Sequence, residues 1–470
     1  MAARDSCARW AEETFQATET GDRRRTLRLI EVAQQMARAP AGQITRLFKT
    51  SAQKEGAYRL LENEGVRCNA LQEAMGRVTL QRGRGEPFLY VAVDQTSLTL
   101  VDRARTREVG PISSPQAPGR GLQVLNGLVL TPSGAVVGLA QQKYWRRGEE
   151  VVSTDRARPY EERESRYWLE VMRATTRQRD QIGGPALWFL NDRGGDIGES
   201  LAALVESGDR FTIRLQKMRS TWPERDPFTK GVWHGRRQQV LEALRSHPAL
   251  GYMTVTVPAS PDQPQHCVKL LVRAARVRLS LKHPDHHKRT WVHLSIVWIR
   301  EPNPRAGQKR LEWLLWTNAD TKTFDETCLV VRGYTLRWRV EEFHKTWKST
   351  VSIEETLLRR QESITKWATI GAAVAARIER LKKLARTTPD LAATVALSRI
   401  EIDAVLMLRD PPGYKRGDVP SLGQCVDWIA ELGGYTSRTT SRHPPGSATI
   451  GRGLEKVATA AEILQRLEKM

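Results

Sequence analysis

The chain has 470 residues, which is too many for one hydrophobic core, so two or three domains are expected. Its hydrophobic fraction of 40% and charged fraction of 27% are those of an ordinary soluble globular protein. Lysine and arginine outnumber aspartate and glutamate by 74 to 53, and the net charge of +21 favours a polyanionic partner, with nucleic acid ahead of an anionic membrane surface.

No segment of the sequence resembles a targeting signal or a membrane span. The N-terminus lacks the apolar run of a signal peptide, and no apolar stretch approaches the roughly 20 residues that a span needs. The five cysteines are odd in number and far apart, so neither a disulfide framework nor a zinc ribbon is indicated. These features predict a cytoplasmic protein with no membrane partner.

Residues 1–75 are predicted to form a basic, helical domain. In the segment GDRRRTLRLIEVAQQMARA, Asp22 can cap a helix whose apolar positions, from Leu29 to Met36, recur at helical spacing. Small helical domains with one basic face commonly bind DNA phosphates, although a solvated arginine-rich surface would have the same composition. The candidate DNA contacts in this domain are Arg23, Arg24, Arg28, Tyr58 and Arg59.

From about residue 85 the pattern changes to strands. The runs PFLYVAVDQTSLTL, LQVLNGLVL and AVVGLAQQKYW have β-rich compositions, and the turn residues TPSG separate the last two. A helical stretch at residues 160–180 and a short apolar strand, ALWFLN, follow. Three antiparallel strands, a helix and a buried strand predict a mixed α/β core inside a domain of residues 76–370.

A mostly β insertion is predicted within this domain at about residues 209–330. Its strand candidates include RFTIRLQK, which contains Arg214, and EWLLWTN, which contains Trp313. Arg214 is a further candidate DNA contact. Beyond residue 370 the sequence is helical again, and its last 18 residues form an amphipathic helix that suits either a partner helix or an ordinary core.

Two acidic residues follow predicted buried strands. Asp94 ends the run LYVAV and Asp192 ends ALWFLN, so a rigid sheet could present both carboxylates at its edge. A single aspartate at a strand end is more often a cap or a turn residue. A cluster of carboxylates needs a counter-charge, and two Mg²⁺ ions about 3.5–4 Å apart would supply it and serve phosphoryl transfer.

The segment YTLRWRVEEFHKTWK, residues 334–348, is predicted to form one helix. On a helix that advances roughly 100° per residue, an arc of about 60° contains Tyr334, Arg337, Glu341 and Lys348. The glutamate that follows Glu341 points about 100° away, so the two acids are not equivalent. This face suits a metal ion with phosphates on either side, whereas a salt-bridged surface helix would not need these residues on one stripe.

The motif Tyr-x2-Arg-x3-Glu-x6-Lys in residues 334–348 resembles the signature of the insertion-sequence-four family of DDE transposases, and in particular its cut-and-paste members. The segments GDRRRTLRLIEVA, EGAYRLLEN, VDQTSL, NDRGGDI, EWLLWTN and ELGGY also occur in the order and approximate spacing of that family. The resemblance covers nearly the whole chain.

This resemblance implies a fold and a set of site residues. The fold would be a ribonuclease-H-like α/β core with a large β insertion, flanked by an N-terminal helical DNA-binding domain and a C-terminal helical dimerisation domain at residues 371–470. The catalytic, metal-binding triad would be Asp94, Asp192 and Glu341, with two Mg²⁺ ions that Mn²⁺ can replace.

The resemblance also implies DNA contacts. Tyr334, Arg337 and Lys348 would contact phosphates around a flipped base and the cleavage site. Trp313 would receive the flipped base, since an indole face repays part of the cost of unstacking it. A tryptophan packed within the β insertion is the alternative.

The implied activity is cleavage of the ends of a mobile element by metal-dependent phosphoryl transfer through a hairpin intermediate, followed by joining of the 3′-OH ends to target DNA. The implied partners are double-stranded DNA and a second copy of the chain in a homodimeric synaptic complex, and the implied location is the bacterial nucleoid. Two alternatives remain open: a catalytically silent or domesticated DNA-binding relative that acts as an inhibitor, and a metal-dependent nuclease without strand transfer.

The sequence departs from the family pattern at two places. Gly194 and Gly195 replace a glutamate and a small residue in many relatives, and they are predicted to loosen the loop after Asp192. Leu125 stands where the family often has histidine. Neither departure removes an acid of the triad.

Overall fold

The computed structural model describes residues 5–112, 119–149, 158–223, 237–257, 266–304, 307, 310–436 and 444–468. The α-helices are α1 (Ser6–Phe15), α2 (Arg23–Arg38), α3 (Ile44–Leu47), α4 (Ser51–Glu62), α5 (Cys68–Arg82), α6 (Arg166–Ile182), α7 (Gly198–Ser207), α8 (Val240–Arg245), α9 (Phe324–Leu336), α10 (Arg339–Lys345), α11 (Gln361–Thr387), α12 (Arg399–Arg409), α13 (Leu422–Leu432) and α14 (Ser447–Leu467). The strands are β1 (Phe88–Thr99), β2 (Gly110–Pro111), β3 (Arg120–Leu130), β4 (Val136–Trp145), β5 (Ala186–Asn191), β6 (Arg210–Arg214), β7 (Ser220–Pro223), β8 (Gln238–Gln239), β9 (Gly251–Val257), β10 (His266–Lys282), β11 (Arg289–Arg300) and β12 (Glu312–Thr317).

The described strands form one sheet in the order β2-β3-β1-β5-β6-β12-β11-β10-β7-β8, with β4 beside β3 and β9 beside β10. Strands β1, β3 and β4 are antiparallel, and α6 leads from them to β5, which pairs with β1 in parallel. The predicted mixed α/β core is therefore confirmed. Strand β6 pairs with β5 in parallel and extends this core, so the added strands begin at β7 rather than at residue 209.

The alternation of side chains along β1 determines where Asp94 emerges. Leu89, Val91 and Val93 belong to one hydrophobic core, on the side of the sheet covered by α6. Tyr90 and Ala92 belong to the second core, which also contains the buried residues of α10 and α11. Because successive side chains of a strand point to opposite faces, Asp94 continues this second set and faces α10.

The N-terminal helices pack against α11. The indole N–H of Trp367 donates to the carbonyl of Gly42 at 2.8 Å, and Lys366 Nζ donates to the carbonyls of Leu61 and Asn63 at 3.0 and 2.9 Å. Residues 75 and 370, the predicted domain boundaries, lie within α5 and α11, so neither falls in an exposed linker. Among the helices of the described residues, none is both long and apolar enough to cross a membrane.

A buried ion pair within α11 is hydrogen-bonded by α14 and by the segment after α10. Lys382 Nζ lies 2.6 Å from Glu379 Oε2, and Glu379 is 2% exposed. The hydroxyl groups of Ser447 and Thr346 donate to the same carboxylate. The charge of Glu379 is thus neutralised and hydrogen-bonded by three different segments of the chain.

Replacing Lys382 with methionine should lower the stability of the protein by about 3–5 kcal/mol, because it leaves the Glu379 charge buried without a counter-ion. Thermal and urea unfolding of both proteins measure the loss. The double variant Lys382→Met/Glu379→Gln is the matched control and should recover part of the loss. A single variant as stable as the wild type would contradict the prediction.

Candidate active site

Asp94 and Asp192 lie side by side where β5 leaves β1. The last parallel pair between these strands is Val93 with Asn191. Asp94 directly follows Val93, and Asp192 directly follows Asn191. Asp94 does not end its strand as the sequence suggested. Strand β1 continues to Thr99 because its antiparallel ladder with β3 extends past the end of β5.

The Asp94 carboxyl is buried beside other charges. Its residue is 9% exposed, and burial raises its pKa from 3.8 to about 7. The Arg337 guanidinium lowers this pKa, while the Asp192 and Glu341 carboxylates raise it further. The three acids of the predicted triad therefore act on one another electrostatically in the folded chain.

The segment that contains Glu341 is not the single helix that was predicted for residues 334–348. Helix α9 ends at Leu336, α10 begins at Arg339, and a π-helical segment follows at Thr346–Thr350. Between the helices the turns are tight, because the backbone N–H of Arg337 donates to the third residue before it, as does that of Glu341. The backbone is tightened between the two helices and widened in the π-helical segment. The residues therefore do not advance by a constant 100° each, as a single α-helix would require.

Arg337 lies between two of the acids. Its Nη2 is 2.6 Å from Glu341 Oε1, and its Nη1 is 3.4 Å from Asp94 Oδ1. Glu342, by contrast, pairs with Arg339 at 2.5 Å. The predicted difference between the two adjacent glutamates is therefore present: Glu341 is linked to Asp94 through Arg337, and Glu342 has a different partner.

The donor set is chemically suited to Mg²⁺, which prefers carboxylate oxygens, water and substrate phosphate to a closed protein cage. In the part of the chain that is described, no group of three or more His, Cys, Asp or Glu residues is arranged to hold a metal ion. The Arg337 guanidinium already supplies the counter-charge between Asp94 and Glu341. Metal ligation by all three acids stays a prediction, and it would require Arg337 to leave this position.

Two buried polar groups beside the acids are incompletely hydrogen-bonded. Within the described residues, the Tyr334 hydroxyl makes no hydrogen bond of good geometry although Tyr334 is only 4% exposed, and the Nη1 of Arg337 has only its 3.4 Å ion pair with Asp94. Buried donors of this kind are rare in folded proteins and each calls for an explanation, such as an absent ligand. Burial raises the pKa of Tyr334, and the Arg337 and Arg214 guanidinium groups oppose that rise, so Arg214 also lies close to this phenol.

Trp313 and Lys348 border this cluster. The half-buried Trp313 ring packs edge-to-face against Tyr334, with ring centroids 5.3 Å apart. Lys348 lies in the π-helical segment, and its Nζ is 3.9 Å from Glu354. Their predicted contacts with a flipped base and a phosphate stay predictions.

The loop after Asp192 is closely packed, contrary to the expectation that its glycines loosen it. A Cβ on Gly194 would lie 2.8 Å from the Trp168 ring, and one on Gly195 would lie 2.6 Å from the Cβ of Asn191. The Asp192 carboxylate accepts a hydrogen bond from the Gly194 N–H at 2.8 Å. The glycines therefore allow a close approach that holds the backbone next to Asp192.

The N-terminal helices present their basic residues in two ways. Asp22 caps α2 by accepting a hydrogen bond from the Arg24 N–H at 2.8 Å, as predicted, and the Arg24 side chain is 92% exposed.

Arg28 pairs with Glu31 at 2.7 Å and lies against Gly56 of α4. Arg28 thus contributes to the packing of α2 on α4. The other candidate contacts are the exposed Arg23, the half-buried Tyr58, and Arg59, which pairs with Glu55.

A buried polar chain that was not predicted from the sequence lies behind Asp94. Its members are His344, Asn126 and Gln142, all nearly inaccessible to solvent. Burial lowers the pKa of His344 to about 3, so the imidazole is neutral near pH 7. Asn126 and Gln142 interrupt the apolar runs of β3 and β4, which is the only sequence signal, and the pairing of the strands is needed to bring them together.

The N-terminal helices match a known protein family. Residues 7–66 match the family model described as transposase DNA-binding. The match spans α1 to α4 and includes every candidate DNA contact predicted before residue 75. It supports a transposase that binds DNA through this part of the chain.

Asp94→Asn should stabilise the metal-free protein, and the gain should grow with pH. Because the pKa of Asp94 rises from 3.8 to about 7 on folding, the folded chain keeps a proton that the unfolded chain releases, so stability falls between about pH 4 and pH 7 and then levels off. At about 1.4 kcal/mol per pKa unit the gain is at most about 4 kcal/mol. Loss of the ion pair with Arg337 reduces it.

Thermal unfolding in EDTA from pH 5 to pH 8 tests this prediction, with Asp320→Asn at an exposed position as the control. The difference between Asp94→Asn and wild type should increase with pH. A difference that is the same at pH 5 and pH 8 would exclude a raised pKa at Asp94.

Proposed function

We propose that this chain is a Mg²⁺-dependent DNA transposase, a cut-and-paste member of the insertion-sequence-four family. It binds the ends of its element, cleaves them through a hairpin intermediate, and joins the 3′-OH ends to target DNA as a homodimer. The observation that carries the proposal is the convergence of Asp94, Asp192 and Glu341 beside the Arg337 guanidinium and the buried hydroxyl group of Tyr334, in a chain whose first helices match a transposase DNA-binding family.

The order of the core strands supports the ribonuclease-H-like part of the proposal. Three antiparallel strands, a helix and two parallel strands give the spatial order β4-β3-β1-β5-β6. This order puts the residues after the last β1–β5 pair next to each other, and those residues are Asp94 and Asp192. Helix α10, which carries Glu341, packs on the same face of the sheet.

The residues of the site have distinct roles in this proposal. Asp94, Asp192 and Glu341 would hold the metal ions, and bound Mg²⁺ supplies activation of the attacking and leaving oxygens of phosphoryl transfer. Arg337 neutralises the acids before DNA arrives and then offers its donors to a phosphate, where a bidentate guanidinium fits well. Tyr334 offers its hydroxyl group to the same strand.

Two other functions are compatible with DNA binding by the N-terminal helices. A silent relative would bind DNA without cutting it, and a simple nuclease would cut without joining. The buried Tyr334 hydroxyl group and the Arg337 guanidinium beside the acids favour a site that still receives a phosphate over a silent one. Trp313, which borders Tyr334, favours hairpin formation over simple cutting.

Glu341→Gln should reduce DNA cleavage by at least about 100-fold, because loss of a residue that merely supports a metal ligand already costs about 10- to 100-fold. Glu342→Gln is the matched control: it makes the same chemical change one residue away, at a carboxylate paired with Arg339, and should leave cleavage near the wild-type level. The substrate is DNA carrying the ends that flank the gene, incubated with Mg²⁺. A denaturing gel resolves the nick, the hairpin and the joined product.

The products distinguish the three functions. Wild-type protein that yields all three products is a cut-and-paste transposase. Binding without cleavage would establish the silent relative, and a nick alone would establish the nuclease. Equal cleavage by Glu341→Gln and wild type would overturn the assignment of Glu341.

Arg24→Ala should weaken DNA binding at low salt and reduce the slope of log K against log salt by about 1, because one phosphate contact is lost. Arg466→Ala is the control, since Arg466 is also highly exposed, at 76% against 92%, and lies in α14. Fluorescence anisotropy over a salt series measures both slopes. Equal slopes for the two variants would remove Arg24 from the DNA contacts.

A further inference from the structure

A row of polar side chains crosses the core sheet behind the acids. Asp94 of β1 is directly opposite Asn126 of β3, and Asn126 is directly opposite Gln142 of β4. Cross-strand partners project from the same face of a sheet, so all three point toward α10. His344 of α10 lies over this row, with Nε2 3.0 Å from Asn126 Nδ2 and Nδ1 3.8 Å from Asp94 Oδ2.

The two amides fix the tautomer of the imidazole. Gln142 Nε2 donates to Asn126 Oδ1 at 2.6 Å, so the carbonyl oxygen of Asn126 faces Gln142 and its NH2 group faces His344. An amide NH2 group only donates, so His344 Nε2 must accept; an imidazolium has no acceptor, so the ring is neutral in this network and carries its proton on Nδ1. The reversed network would turn an unprotonated Nδ1 toward the Asp94 carboxylate, with two acceptors facing each other.

The Asp94 carboxylate is consequently flanked by a different donor on each side. Oδ1 faces Arg337 at 3.4 Å, and Oδ2 faces the Nδ1–H of His344 at 3.8 Å. The second separation is longer than a hydrogen bond, and such contacts commonly shorten when a site binds its ligands. Groups behind a ligating carboxylate fix its orientation and affect metal affinity.

We propose that His344 is a positioning residue: a neutral imidazole, held in the Nδ1–H tautomer by Asn126 and Gln142, that orients the Asp94 carboxylate for metal binding. The metal-binding part of this inference rests on the proposed function, whereas the tautomer and the contact with Asp94 do not. The alternative is that His344 only fills space under α10, where its ring lies 5.5 Å from that of Phe343.

Two substitutions separate positioning from packing. His344→Asn keeps an amide donor near the position of Nδ1, and His344→Gln places its amide nearer the position of Nε2. Both remove the ring, so a packing role predicts similar effects from both. Positioning predicts that only His344→Gln loses the donor toward Asp94.

The first measurement is the affinity of Mn²⁺ for the full chain in complex with its DNA ends. The electron paramagnetic resonance signal of free Mn²⁺ reports how much of the ion is bound. His344→Gln should weaken binding by about 10- to 100-fold, and His344→Asn should stay within about threefold of wild type. Thermal unfolding reports whether each variant folds. Equal affinities for the two variants would overturn the positioning role, whatever the absolute affinity.

The second measurement uses ¹⁵N-histidine-labelled protein without metal, with His344→Gln identifying the resonance. The couplings of the ring nitrogens should show a proton on Nδ1, and Asp94→Asn should shift the Nδ1 resonance. A proton on Nε2, or no response to Asp94→Asn, would overturn the inference. If Asp94→Asn binds Mn²⁺ as tightly as wild type, the metal site of the proposed function fails, and the two resonance results still decide the role of His344.

Discussion

Burial of the Asp94 carboxyl is the constraint on which the candidate site depends. A carboxylate with a pKa near 7 inside a sheet is stable only when opposite charge and donors surround it. Arg337 supplies the charge, and its ion pair with Glu341 brings the second acid into the same electrostatic environment. Without metal, these acids are therefore held together by one guanidinium. Moving that guanidinium away would leave a cluster of negative charge that needs cations in its place.

The sequence was a sufficient guide to the two strands that position Asp94 and Asp192. The apolar runs around Asp94 and Asp192 identified two strands that prove to be neighbours in parallel register, because α6 leads the chain from β4 back to β5 beside β1. The cap at Asp22 and the apolar spacing of α2 were equally readable, since both depend on residues close together in the chain.

What could not be read from the sequence depends on contacts between distant residues. His344, Asn126 and Gln142 come from three separate elements, and only the register of β1, β3 and β4 shows that they share a face with Asp94. The break between α9 and α10 was missed for a different reason. Its residues keep helical backbone angles, and only the hydrogen-bond spacing changes, from the α pattern to a tighter turn and then to a wider π turn.

The packing of the N-terminal helices on α11 limits how this chain can acquire a new DNA sequence preference. Proteins with recognition modules on linkers can exchange a whole module and keep the rest. Here the carbonyls of Gly42, Leu61 and Asn63 accept hydrogen bonds from buried side chains of α11. A foreign module would therefore leave Lys366 and Trp367 buried without these hydrogen-bond partners. Under the proposed function, recognition would therefore change stepwise, through exposed side chains such as Arg23 and Arg24, while the inner surface of the same helices is kept by its packing on α11.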